Sequence, residues 1–95
     1  MSPAPLRRVG LVLRPGFSQL SLAGVMDSLA AVNALQAEAL YRAELLSALG
    51  GPVESAAGLQ AATRPWAPAE GWHAVLVVAP DATPAEASLA ALLRA

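Results

Sequence analysis

Five residues, Arg14, Gly16, Phe17, Ser47 and Asp81, stand where short apolar runs give way to turn residues. If those runs are parallel strands flanked by helices, their carboxyl ends share one edge, and ligands gather at such an edge. The chemistry on offer is binding. Arg14 directly follows its run and reads either as a solvent-facing loop arginine or as a cation for an anionic ligand. Gly16 suits a turn that needs positive φ or a close backbone approach.

Bond-breaking chemistry finds little material. The chain has no cysteine, which removes a thiol nucleophile, a thiolate metal site and a disulfide framework. Ser18 and Ser47 have no histidine and aspartate arranged around them as a triad. His73 is the single histidine, so it has no partner for a metal or a relay, and it reads as a surface residue opening a strand. Asp27 reads as a solvated helix carboxylate near the pocket edge, and Glu54, Glu70 and Glu86 are scattered. Gly50-Gly51 lacks the spacing of a dinucleotide or phosphate loop. No cofactor is called for. Trp66 and Trp72 read as packing anchors, one of which could rim a partner surface.

The elements that must position these residues alternate. Arg8–Leu13 is an apolar run of strand length, closed by Arg14-Pro15-Gly16. Leu22, Val25, Met26, Leu29, Val32 and Asn33 or Gln36 follow helical spacing, with Ser18 or Ser21 as cap and an end near Glu38–Ala39. Tyr41–Leu49 reads as a second strand and Gly50-Gly51-Pro52 as a turn. Val53–Ala56 and Leu59–Ala62 are short arms about Ala57-Gly58, a hairpin or small excursion outside the core sheet. His73–Ala79 is a continuous β-branched run of the kind found in central parallel strands covered on both faces. Thr83, Pro84 and Glu86 form a capping box for a last helix, Pro84–Ala95, that has no stop signal. The order β-α-β-hairpin-β-α predicts an α/β fold with a parallel sheet, and the helix without a following strand predicts that residues 1–95 are the first part of a larger domain.

Composition agrees with a piece of something larger. The 95 residues are 56% hydrophobic and 14% charged, too apolar for a disordered tail and low in charge for so small a free-standing core. A net charge of −1, with six arginines and no lysine, argues against an autonomous nucleic-acid surface. The run Val9–Leu13 is too short for a signal core, and no stretch approaches the roughly 18–20 apolar residues of a membrane span, so a cytoplasmic location without membrane contact is expected.

Three stretches occur in a telling order: Val9–Ser18, Leu45–Leu59 and Ala74–Ala79. Together with Met26–Asn33 and Leu40-Tyr41-Arg42 they resemble the first half of the PfpI-like domain of the class I glutamine amidotransferase-like superfamily, over about residues 8–94. The resemblance is strongest to the GlxA-type subgroup of AraC-family transcriptional regulators. It implies a flavodoxin-like sheet sandwich, here incomplete, that binds a small effector and forms homo-oligomers. DNA would be contacted only through a helix-turn-helix domain lying outside these residues. The same resemblance admits a second reading, the start of a PfpI-like amidase, protease or isonitrile hydratase-like enzyme whose catalytic cysteine is missing here. Two departures weigh against catalysis. Ser21 stands where the enzymes place an acidic residue, and Ala79-Pro80 replaces a common Gly-Gly, with Pro80 removing a backbone N–H that could serve an oxyanion.

Overall fold

The computed structural model describes residues 6–68 and 70–80. The expected helix Pro84–Ala95, its capping box and Asp81 lie outside the described residues. Five strands and one helix are present among those described: β1 (Arg7–Leu13), α1 (Gln19–Ala34), β2 (Tyr41–Ser47), β3 (Gly51–Glu54), β4 (Gln60–Pro65) and β5 (Ala74–Val78). They form one five-stranded sheet in the order β3-β4-β2-β1-β5.

The centre of the sheet is parallel, with Leu11 in register with Leu45 on one side and with Leu76 on the other. The whole sheet is mixed, which corrects the all-parallel expectation. β3 and β4 run antiparallel as a hairpin, and β4 then pairs parallel to β2 through Leu46↔Arg64 and Ser47↔Pro65. The hairpin arms are therefore sheet strands and no excursion. Gly51 and Pro52 belong to β3, because the turn comes earlier: Ser47 Oγ accepts from the Gly50 N–H at 2.9 Å and closes β2 two residues before its expected end. Proline is tolerated at Pro52 because β3 is the outermost strand, where a missing N–H breaks no ladder. β5 occupies the other end of the described sheet and not its centre, and four of its five residues are only half-buried.

Ser18 caps α1, its hydroxyl accepting from Ser21 N–H at 3.2 Å. The helix stops at Ala34, short of the predicted end. Asn33 turns inward and spends its amide on Leu40 and Tyr41, so the chain must leave the helix to bring β2 back. Leu22, Val25 and Leu29 pack on the sheet, whereas Met26, Val32 and Gln36 are exposed, so the predicted apolar stripe is narrower than its spacing suggested. Leu20, in the first turn of α1, and Leu35, just past its end, are each 84% exposed.

Two connections cross the sheet in opposite senses. From β1 the chain steps one place to β2 through α1; from β4 it passes β2 and β1 to reach β5. Connections of one hand that run in opposite directions must lie on opposite faces. So α1 covers Val9, Leu11 and Leu13, while the connector bearing Trp66 and Trp72 lies under Arg8 and Gly10. Gly10 permits this close approach: a Cβ there would stand 3.0 Å from Leu46 Cδ1 and 3.2 Å from Trp72 Cε3.

Candidate functional site

The loop after β1 is a tight turn. Pro15 presets the first central position, Gly16 takes φ +80°, and Phe17 N–H donates to Arg14 O at 3.0 Å, as a type II turn requires. This turn is held on two sides. Arg14 N–H donates to Val78 O at 3.0 Å and Ser18 N–H to Ala79 O at 3.3 Å, tying it to the end of β5. Gly16 N–H donates to Glu54 O at 2.8 Å and Ala56 N–H to Phe17 O at 3.0 Å, tying it to the hairpin tip. The carboxyl ends of β1, β2 and β5 thus converge on one edge.

At that edge, on the connector face, lies an open cleft of about 550 Å³, lined by Val12, Arg14, Ser47, Val53, Trp66 and Val77 among others. The structure brings Arg14 and Ser47 to this cleft and leaves Gly16 and Phe17 out of its lining. Gly16 shapes the turn beside it. Phe17 is wholly buried in the core. Ser47 is buried too, and its hydroxyl is engaged: it shares a 2.6 Å hydrogen bond with Thr63 Oγ1 and accepts from Gly50, while Thr63 Oγ1 donates to Gly51 O. A second cleft of about 410 Å³ opens on the helix face between α1 and the end of β5, lined by Leu20, Gly24, Val25, Leu29 and Val78.

Sequence reasoning missed a charged cluster beneath the sheet. Arg8 Nε donates to Glu44 Oε2 at 2.6 Å and Arg8 Nη2 to Glu44 Oε1 at 3.1 Å, a two-pronged pair. Arg64 reaches the same carboxylate at 2.7 Å, and Glu70 lies 3.4 Å from Arg8 and 3.6 Å from Arg64. The Arg8 guanidinium rests 4.2 Å from the centre of the Trp72 ring, and Trp72 stacks with Trp66 at 6.1 Å. Hydrogen bonding from Arg8 holds the Glu44 carboxyl below its ordinary range despite partial burial, and Glu44 in turn raises Arg8. The available signal was Glu44 itself, a carboxylate amid an apolar strand, which must find a partner.

The remaining single residues take structural or solvated places. Asp27 is exposed on α1. His73 is exposed, its ring 6.0 Å from that of Tyr41. Glu54 is exposed on β3, and Glu86 lies outside the described residues. Among the described residues no three His, Asp or Glu side chains gather as a metal site, and no helix is long and apolar enough to cross a membrane.

Comparison with solved structures gives a distant likeness. The crystal structure of an AraC family transcriptional regulator from Pseudomonas putida matches 83% of this chain with a TM-score of 0.72 and 28% sequence identity. The chain is distantly similar to a regulator. It spans 50% of the length of that regulator's chain. No family model matches, and no curated protein does.

Proposed function

We propose that residues 1–95 form the ligand-sensing and oligomerising part of a GlxA-type transcriptional regulator and perform no catalysis. The observation that carries this is the likeness to the Pseudomonas putida regulator over most of the chain, at an identity of 28%. The lack of any cysteine and the engagement of the Ser47 hydroxyl by Thr63 and Gly50 support the non-catalytic part.

The effector seat is the cleft at the carboxyl edge of the sheet. Arg14 and Ser47 line it, Gly16 sets the turn that carries Arg14, and Phe17 anchors that turn from within the core. Asp81, one residue beyond Pro80, is the fifth member of the proposed site. An effector acts here by binding one arrangement of the turn better than another, and its leverage is limited to that difference in affinity. Self-association uses the exposed leucines at the two ends of α1, Leu20 and Leu35, each 84% exposed. DNA is contacted by a domain outside these residues.

The test is the genomic reading frame that follows the Ala95 codon. A cysteine-free or cysteine-bearing second half-domain followed by paired helix-turn-helix units supports the regulator. A cysteine elbow with a stop directly after one domain overturns it in favour of the enzyme.

A further inference from the structure

Resting on the sensing reading above, we infer that the cleft beside Arg14 takes a small monocarboxylate with an aromatic or branched apolar body. The cleft walls are mostly hydrocarbon: Val12, Val53 and Val77, closed by the Trp66 indole. Its one charge among the described residues is Arg14. Among the described residues the Arg14 guanidinium meets no carboxylate and no other acceptor, whereas Arg8 and Arg64 are neutralised by Glu44 and Glu70, and Arg7 lies against Tyr41. Among the described residues no acidic side chain lines the cleft.

The same residues discriminate among anions. A phosphate needs several convergent donors, usually backbone N–H groups with a hydroxyl or lysine. Here the Gly50 N–H is taken by Ser47 Oγ, and the Ser47 hydroxyl is itself bound to Thr63. The Arg14 guanidinium is the charged donor at hand among the described residues, and its planar fork matches one carboxylate. The fork is carried on prepared backbone: Arg14 N–H is bound to Val78 O and Arg14 O to Phe17 N–H, so binding orders only the side chain. Trp66 is equally fixed, its N–H on Ser47 O and its ring stacked with Trp72, and it offers a flat face for the apolar body of the ligand. The cleft volume of about 550 Å³ falls within the ordinary range for small-molecule sites.

The probes are phenylacetate, its uncharged amide phenylacetamide, and tetramethylammonium, titrated into the 95-residue chain with tryptophan fluorescence as readout. Phenylacetate is expected to give a saturable change, with the amide weaker by about tenfold or more and tetramethylammonium silent, tenfold being the loss of one modest charge-assisted contact. R14Q is expected to weaken phenylacetate by a similar factor, and R42Q, on an exposed arginine outside the cleft, to leave it unchanged. The acid–amide comparison uses the unaltered chain and so does not depend on a variant folding. Equal binding of acid and amide, or binding of the cation, overturns the carboxylate class and leaves the sensing reading standing. Absence of saturable binding by any probe overturns the ligand class, and the sensing reading is then decided separately by the reading frame beyond Ala95.

Discussion

Asn33 and Tyr41 are clipped together in both directions. Asn33 Oδ1 accepts from the Leu40 and Tyr41 N–H groups at 2.9 Å each, and Asn33 Nδ2 donates to Tyr41 O at 2.8 Å. One side chain near the end of α1 therefore supplies the hydrogen bonds that the start of β2 would otherwise lack on that side. Replacing Asn33 with alanine leaves those backbone groups to find water in a half-buried place, at a cost of about 1–3 kcal/mol. N33D keeps the acceptor and loses the donor, so it falls between wild type and N33A. Urea unfolding measures both, and an N33A stability equal to wild type would show that the clip adds nothing.

Gly50 and Gly51 are adjacent and both left-handed, at φ +79° and +80°, yet they should respond differently to alanine. A Cβ on Gly50 would stand 2.8 Å from Pro65 Cδ, while one on Gly51 meets nothing within 4 Å. G51A pays for backbone strain alone, about 1–2 kcal/mol. G50A adds the clash with a proline ring whose backbone pairs with Ser47, and is expected to be destabilised by about 1 kcal/mol more. Thermal melts of the two variants side by side check the difference.

Gly24 predicts the opposite sign. It lies inside α1 with ordinary helical φ and open space where a Cβ would go. G24A should raise stability by about 1 kcal/mol, since glycine in a helix interior is disfavoured against alanine by that amount. A fall in the melting temperature would mean that the space beside Gly24 is occupied in solution.

Glu44 sets an acid limit on stability. Its carboxyl titrates lower in the folded chain than in the unfolded one. The unfolded state therefore takes up protons first as pH falls, so the stabilisation is fully present above the unfolded pKa, about 4.3, and disappears as pH drops through the folded value. E44Q is expected to be less stable than wild type at neutral pH and to lose less on acidification. Melting temperatures of both chains between neutral and strongly acidic pH check this, and parallel curves would refute it.

The exposed leucines at the two ends of α1 predict self-association of the isolated chain. L20E and L35E place charge at these two positions, and sedimentation velocity is expected to show them shifted toward monomer relative to wild type. A wild-type chain that already sediments as a monomer with a cooperative melt contradicts the prediction.

Much of the frame was legible. The strand over Arg8–Leu13, a cap at Ser18 or Ser21, the return at Tyr41 and the turn at Pro15-Gly16 all follow from local chemistry, since apolar runs, caps and turn residues act within a few positions. What could not be read depended on partners far away in the chain. The place of the hairpin in the main sheet rests on Leu46 and Ser47 meeting Arg64 and Pro65. The early end of α1 rests on Asn33 reaching Tyr41. The charged cluster rests on Arg8, Glu44 and Glu70 meeting across three segments, and Phe17 looked available because burial by the hairpin tip leaves no mark on its own sequence neighbourhood. At the candidate site, residue types identified Arg14 and Ser47, but only geometry shows that one is unpaired among the described residues and the other engaged.

The position of β1 also has a consequence for synthesis. It is flanked on both edges, by β2 and by β5, yet it leaves the ribosome before either. At ordinary translation rates the interval between making Leu13 and making Val78 is on the order of 3–13 s. For that time a strand whose last five residues, Val9–Leu13, carry no charge waits with one or both edges open, and the hairpin, a local structure, closes before the neighbour that completes the centre. Nascent chains paused ahead of β5 are therefore the stage at which capture by a chaperone, or pairing with the wrong strand, decides how much of this protein reaches its fold.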